Sequence, residues 1–359
     1  MAVLDSRSKK EGGKIVGVSA HGKRAERWPD RIDQQYLSRL TDEHRLTRRD
    51  ITLFDWLTDV CCATAEQISR VFFSNEGTAK NRLTKLYKMR LLERGYMPPN
   101  DALDLGISPN TMIYYPGRGS RYWLSQMEGR RFESGWKVLL PQQVAHDLMS
   151  TELIAALHDD FQRFDEATGN RVRMRLESEV VFWKLDGAGR PELREVKRRG
   201  ETVKEKVALL RSDMRLEAKL GEDDDAASLL SVFIEADRGT MTNPQFGEKV
   251  QAYNLAAEQW RNREAVREAK SEGAARPFPM VLVVTTGAAR ARNLTKTISE
   301  KAAEGVVWAV LDWTGLRGLA GGGALTTPVW HKATRGKLAA EKALLPGLAA
   351  RLQEPVDKA

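Results

Sequence analysis

The sequence predicts an α+β protein built from two successive parts. A helical, turn-punctuated segment comes first, and a longer region follows in which β-branched runs alternate with stretches of helical spacing. At 359 residues the chain is long enough for two domains, each with its own core. The expected segments are a basic, disordered arm (1–48), a helical part that ends in strands (49–132), a linker (133–145), an α/β domain with a mixed sheet (146–314), and a Gly-rich stretch with a C-terminal helix (315–359).

The composition favours a polyanionic partner. Lys and Arg number 57 against 49 Asp and Glu, which gives a formal net charge of +8. The only two cysteines, Cys61 and Cys62, are neighbours, so the sequence excludes a disulfide framework and a zinc site of the paired-cysteine type. Residues 1–10 lack the apolar core of a signal peptide, and no apolar run approaches the roughly 20 residues of a membrane span. We therefore expect a cytoplasmic protein without a membrane partner.

Three helices are expected in the first part. Ile51–Val60 carries an apolar stripe. Thr64 opens a second helix, and Gln67 three residues later completes a capping-box pattern. A turn at Ser74–Gly77 leads to the third helix, Thr78–Arg90.

The third helix has one apolar and one polar face. Its polar face carries Thr78, Asn81, Thr84, Lys85 and Lys88. Asn pairs with adenine edges, Lys reaches guanine or phosphate, and Thr serves either. The alternative interpretation is an ordinary solvated helix face.

Strands are expected after this helix, at Leu91–Tyr96, Thr111–Tyr115 and Ser120–Leu124. Between the last two, Pro116–Gly119 is expected to form a hairpin tip that carries Arg118, with Arg121 close behind it. Three helices followed by a basic hairpin are typical of a winged helix-turn-helix that binds double-stranded DNA. In this interpretation Arg118 and Arg121 contact phosphates.

The second part is expected to alternate helices and strands. The helices are Asp147–Phe164, Pro244–Ala269, Arg290–Ala303 and Lys337–Leu352, and the strands are Val172–Trp183, Arg211–Lys219, Leu230–Asp237, Met280–Thr286, Val306–Trp313 and a short one near Val329.

Acidic residues on two of these strands form a candidate site. Asp213 lies early in one strand, and alternation puts Glu235 and Asp237 on one face of the next. Lys249 stands four residues before Tyr253 on the following helix, on the same helical face. Carboxylates from two strands and a nearby lysine suit a hard divalent cation that activates a phosphodiester. The alternative is that these acids simply pair with Lys or Arg.

Two resemblances follow from this arrangement. Asp213 and Glu235 on adjacent strands resemble the PD-(D/E)xK nuclease superfamily. From Arg49 to about Trp313 the chain is similar to the replication-relaxation family of plasmid and integrative-element proteins. That second resemblance is carried by Thr64–Ile68, Arg82, Leu83, Leu86, His146–Leu148, the Asp213 strand, Phe233–Thr240, Lys249 and Tyr253.

The resemblance implies DNA binding connected with replication, relaxation or transfer of a mobile element. In its enzymatic form, Asp213 and Glu235 hold Mg²⁺ or Mn²⁺, Asp237 assists, and Lys249 stabilises developing charge. Two departures from the nuclease pattern favour a degenerate site: Ser212 replaces the motif's proline, and Asp237 stands where its lysine is expected. The alternative function is a winged-helix transcriptional regulator whose C-terminal domain dimerises or senses a ligand. The expected partners are double-stranded DNA and a second copy of the chain.

Overall fold

The computed structural model describes residues 10–11, 14–15, 32–43, 45–127, 129, 141–168, 172–178, 180–198, 201–219, 229–270, 275–319, 322–327 and 329–342. The chain divides into two compact units, Met1–Ala155 and Ala156–Ala359. No helix within the described ranges combines the length and apolar character needed to cross a bilayer.

The first unit is mainly helical with a small antiparallel sheet. Its elements are β1 (Lys10–Glu11), β2 (Lys14–Ile15), α1 (Gln34–Asp42), α2 (Arg48–Val60), β3 (Ala63–Thr64), α3 (Ala65–Phe72), α4 (Glu76–Lys88), β4 (Leu92–Tyr96), α5 (Pro99–Asp104), β5 (Met112–Pro116) and α6 (Arg118–Met127). The three-stranded sheet has the order β3-β5-β4, and both pairings are antiparallel.

The helices α3 and α4 begin where side chains cap them. The Thr64 hydroxyl accepts from the Gln67 backbone N–H at 3.2 Å, and Gln67 Oε1 accepts from the Thr64 N–H at 3.0 Å, which confirms the predicted capping box. Asn75 caps α4 by accepting from the Thr78 N–H at 2.8 Å. The helix therefore begins at Glu76, two residues before the predicted start.

The predicted basic hairpin tip is wrong. Residues from Arg118 onward form α6 rather than a strand, because the buried residues Ser120, Trp123 and Leu124 follow helical spacing. Pro116–Gly119 is not a tip, since the Gly119 N–H donates to the Arg90 carbonyl at 3.1 Å, just after α4. A Cβ at Gly119 would lie 2.7 Å from that oxygen, so the close approach requires glycine. Instead, the strands β4 and β5 are joined by residues 97–111, which include α5.

The predicted disordered arm, residues 1–48, contains a helix. Its apolar residues Tyr36, Leu37 and Leu40 are buried, and the Tyr36 hydroxyl donates to the Met89 carbonyl at 3.3 Å. Charged neighbours dilute this short stripe in the sequence, which is why α1 was not expected. Further toward the N-terminus the described residues are β1 and β2, which pair with each other.

The second unit contains most of the strands. The helix α7 (Pro141–Thr168) begins within the predicted linker and continues into this unit. The remaining elements are β6 (Arg173–Ser178), β7 (Val181–Trp183), β8 (Leu193–Arg198), β9 (Glu201–Lys206), β10 (Ala208–Arg211), β11 (Met214–Lys219), β12 (Leu229–Asp237), α8 (Asn243–Ala269), β13 (Met280–Thr285), α9 (Ala288–Lys301), β14 (Trp308–Asp312), α10 (Trp313–Arg317), β15 (Trp330–Thr334) and β16 (Lys337–Lys342).

A seven-stranded mixed sheet forms the centre of this unit, so the protein is α+β as predicted. Its order is β16-β15-β14-β13-β12-β11-β6. The strands β12, β13 and β14 are parallel because the helices α8 and α9 return the chain between them, and the other pairings are antiparallel. The buried aromatic residues Phe233, Phe246, Tyr253 and Trp308 lie in one hydrophobic core cluster.

Four sequence expectations in this unit need correction. The predicted strand Val172–Trp183 is two strands, β6 and β7, which belong to different sheets. The predicted C-terminal helix is wrong at its start, because Lys337–Lys342 is the strand β16, and residues 343–352 lie outside the described residues. The predicted strand Arg211–Lys219 is interrupted at Ser212 and Asp213, between β10 and β11. The strands β8 and β9 were not expected, because their charged sequence shows little apolar alternation.

Candidate DNA-binding helix and carboxylate site

The polar face of α4 is directed away from the core, as its spacing predicts. Ala79, Leu83 and Leu86 are completely buried on the opposite face. The predicted contact residues are exposed, except that Thr84 is half-buried: Thr78, Asn81, Thr84, Lys85 and Lys88. Among the described residues, neither Lys85 nor Lys88 has an ion-pair partner.

A buried ion pair fixes α4 to α2. Arg82 Nε donates to Asp50 Oδ1 at 2.8 Å, its Nη2 contacts Asp50 Oδ2, and Nη2 also donates to the Arg45 carbonyl at 2.7 Å. Burial alone would raise the pKa of Asp50, but hydrogen bonds from Arg82 and Thr47 outweigh it and hold that pKa below its ordinary value. The sequence singled out Arg82 through the family resemblance, and its contact gives a physical reason for an arginine there.

Arg118 and Arg121 lie beside the C-terminal end of α4 rather than on a hairpin tip. Arg118 is exposed at the start of α6. Arg121 is half-buried, its Nε donates to the Gly117 carbonyl at 3.2 Å, and burial lowers its pKa. The segment that joins β4 and β5, residues 97–111, contains no Lys or Arg and contains two aspartates.

The structure brings Asp213, Glu235 and Lys249 together. The register pairs Met214 with Ile234, so Asp213 lies opposite Glu235 at the start of β11. The Asp213 carboxylate accepts from the Ala236 N–H at 2.9 Å. From α8, which begins after the N-cap Thr242, Lys249 Nζ reaches Glu235 Oε2.

Glu235 is nearly inaccessible, with 3% of its surface exposed. Its second carboxylate oxygen accepts from the Tyr253 hydroxyl, so Lys249 and Tyr253, one helical turn apart, hold both oxygens. Burial, and next the charge of Asp213, raise the pKa of Glu235 to about 8 against the opposing effect of Lys249. For Lys249 itself, burial would lower the pKa, but the charges of Glu235 and Asp213 raise it overall.

Asp237 is bound by a different partner. Its Oδ2 accepts from Arg290 Nε at 2.7 Å and from the Thr285 hydroxyl at 3.0 Å. Arg290 also donates to Asn243 Oδ1 at 2.6 Å and to the Met241 carbonyl at 2.8 Å. Sequence reasoning missed Arg290, because it lies 53 residues from Asp237 and is one of two arginines in its helix segment.

Lys249 and Tyr253 occupy the carboxylate oxygens at which a divalent cation would bind Glu235. Both oxygens of Glu235 accept hydrogen bonds from Lys249 and Tyr253, so a cation would have to displace the lysine ammonium. Within the described ranges, the side chains form no group of three or more His, Cys, Asp or Glu suited to a metal. As arranged, the site is a buried carboxylate–lysine ion pair.

Comparisons with known proteins place the chain in a family. No curated protein and no solved structure matches it. The family model described as replication-relaxation matches residues 54–268, which is more than half of the chain and includes α3, α4, Asp213, Glu235 and Lys249. The chain therefore belongs to the replication-relaxation family.

Proposed function

We propose that this protein is a duplex DNA-binding accessory protein for replication, relaxation or transfer of a plasmid or integrative element. Family membership supports the process, since the family is that of replication-relaxation. The net charge of +8 supports a polyanionic partner.

The observation that carries the proposal is the exposed polar face of α4, whose opposite face is buried in the core. The order α2, α3, α4, β4, β5 corresponds to three helices followed by a two-stranded wing, which we interpret as a winged helix-turn-helix. In such a motif the second helix of the helix-turn-helix pair, here α4, enters the major groove. Asn81 and Lys85 are the side chains we assign to base edges, and Thr78, Thr84 and Lys88 flank them.

The wing needs a different interpretation from the basic hairpin that the sequence suggested. Because residues 97–111 carry no cation, we do not assign phosphate contacts to them. Arg118 and Arg121 remain the proposed phosphate contacts because the start of α6 lies beside the end of α4. Hydrogen bonds hold it there: the Gly117 N–H donates to the Leu91 carbonyl, and the Gly119 N–H donates to the Arg90 carbonyl.

Replacing both Asn81 and Lys85 with Ala should weaken specific binding by about 2 to 5 kcal/mol, since a good base contact contributes about 1 to 3 kcal/mol. Fluorescence anisotropy on DNA that flanks the protein's own gene measures the effect. The matched control is Glu76→Ala with Lys80→Ala, which removes an exposed ion pair from the same helix. Equal affinity of the two double variants would show that Asn81 and Lys85 do not contact base edges.

A symmetric footprint with half-sites about one turn apart would favour the alternative function, a winged-helix transcriptional regulator.

We further propose that the second unit is a PD-(D/E)xK-like module whose site binds no metal and does not cleave DNA. The support is that Lys249 and Tyr253 occupy the Glu235 oxygens and that Arg290 neutralises Asp237. Mg²⁺ or Mn²⁺ should then leave the melting temperature unchanged, because only a ligand that binds the folded state stabilises it. Supercoiled plasmid should stay intact with either ion. Nicking by the wild type, but not by Glu235→Gln, would overturn this proposal.

A further inference from the structure

A charged two-stranded ribbon, β8 and β9, extends from the second unit without joining the large sheet. Among the described residues the two strands pair only with each other, over six residue pairs from Leu193↔Lys206 to Arg198↔Glu201. Isolated hairpins are marginally stable in water, so a ribbon of this kind needs support at its base.

The base of the ribbon is firmly connected to the core. The Lys184 N–H donates to the Val207 carbonyl at 2.9 Å, and the Val207 N–H donates to the Glu192 carbonyl at 2.9 Å. These bonds continue the ladder of β7 and β10, whose residues Phe182 and Leu210 belong to the hydrophobic core cluster. The ribbon therefore begins at a fixed position on the unit.

One face of the ribbon is exposed along its whole length and carries all three lysines of β8 and β9. Residues opposite each other in an antiparallel pair share a face. The face that we call the lysine face consists of Leu193, Glu195, Lys197, Thr202, Lys204 and Lys206. It holds three cations and one acid, Glu195, which lies opposite Lys204 in the register. Among the described residues, neither Lys197 nor Lys204 has an acidic oxygen within ion-pair distance. On the opposite face Val196, Val203 and Glu205 are half-buried, and Arg194 is paired in register with Glu205.

We propose that the β8–β9 ribbon is a second DNA-binding element, which lies in a groove of the duplex and places Lys197 and Lys204 against phosphates. The major groove, about 12 Å wide, accepts a two-stranded ribbon. Six residues of strand extend about 20 Å, close to the length of six base-pair steps. This inference rests on the proposed DNA binding and adds a contact that is independent of α4.

Replacing Lys197 and Lys204 with Gln tests the inference in the full chain. Each lost phosphate contact should lower the slope of log K against log salt by about 0.9, so the double variant should lose about 1.8 from the slope. The matched control, Lys296→Gln with Lys337→Gln, removes two exposed lysines of the same unit from α9 and β16 and should keep the wild-type slope. Equal slopes for the two variants would overturn the inference.

A photo-crosslink gives a second, charge-independent readout. Benzoylphenylalanine at Leu193, which is 55% exposed on the lysine face, should crosslink to bound DNA. The same group at Leu255, 49% exposed on α8, is the matched control and should not. If the wild type binds no DNA at all, the proposed function fails. If binding still depends on Asn81 and Lys85 but the Leu193 probe gives no crosslink, only the ribbon inference fails.

Discussion

At the scale of single residues, the buried site of Glu235 is governed by charge balance. Asp213 and Glu235 supply two carboxylates, and Lys249 supplies one ammonium. Burial, and next the charge of Asp213, disfavour the ionised form of Glu235 and raise the pKa of that carboxyl to about 8.

This balance predicts how stability depends on pH. Because the folded-state pKa of Glu235 is raised from 4.5 to about 8, the folded state binds more protons than the unfolded state across that window. The contribution of Glu235 to the free energy of unfolding should therefore be full below pH 4.5 and should decline as the pH rises from 4.5 to about 8. Glu235→Gln should remove this decline, measured by urea unfolding at several pH values. Glu258→Gln, which changes an exposed acid on α8, the helix that carries Lys249 and Tyr253, should keep it. A wild-type stability that rises across this window would contradict the assignment.

The sequence indicated part of this site. Lys249 and Tyr253 are one helical turn apart on a strongly predicted helix, and Glu235 alternates with apolar residues on a strand. Local periodicity was therefore sufficient to place these three residues on their elements. The contact of Asp237 with Arg290 depends on which helix packs over which strand end. Local periodicity contains no information on that packing.

At the scale of elements, α4 is oriented by Arg82, whose side chain contacts Asp50 of α2. Asp50 is completely buried, and the Arg82 side chain that neutralises it is 19% exposed. Removing one partner of a buried ion pair leaves an uncompensated charge, which usually costs about 3 to 5 kcal/mol.

Arg82→Met should therefore destabilise the first unit by about that amount near neutral pH. The pKa of Asp50 is lowered in the wild type, so its stabilising contribution is present at neutral pH and is lost as pH falls through that lowered pKa. The difference between wild type and variant should narrow on acidification, in urea unfolding followed by circular dichroism. Arg48→Met, an exposed change at the start of α2, should have little effect at any pH. A constant difference across pH would mean that Arg82 acts by packing alone.

Elements were predictable where capping and periodicity agreed. Thr64 and Gln67 marked the start of α3, and α8 was expected almost to the residue. The prediction of Ser120–Leu124 as a strand was wrong, because a short aromatic run is compatible with both strand and helix patterns. In the structure this segment is helical, and Ser120, Trp123 and Leu124 are buried.

At the scale of the whole molecule, the mixed sheet was predictable because amphipathic helices separate β12, β13 and β14, which forces parallel connections. The N-terminal boundary of the folded part of the first unit was not predictable from the sequence. Three buried residues of α1 belong to the first unit although they lie within a segment rich in charge: Tyr36, Leu37 and Leu40.

Two truncations separate the roles of this segment. A chain that starts at Ile32 should keep its stability. If the Lys and Arg residues before Ile32 contact phosphates, this chain should also show a smaller slope of log K against log salt, because each lost contact lowers that slope by about 0.9. A chain that starts at Arg48 should also unfold more easily, by about 3 kcal/mol or more, since burying a single Leu contributes about 1.5 to 3 kcal/mol. Thermal unfolding and binding at several salt concentrations test both. Equal stability of the two truncations would show that α1 does not contribute to the core.

The contact between Asp237 and Arg290 also has an evolutionary consequence. Asp237→Lys alone would place two cations beside Thr285, and Arg290→Ala alone would leave a buried carboxylate without its partner, so each single step is destabilising. Only a simultaneous exchange preserves the charge of the pair. The two positions are therefore epistatic. Lysine at position 237 should therefore be tolerated better when position 290 no longer carries an arginine.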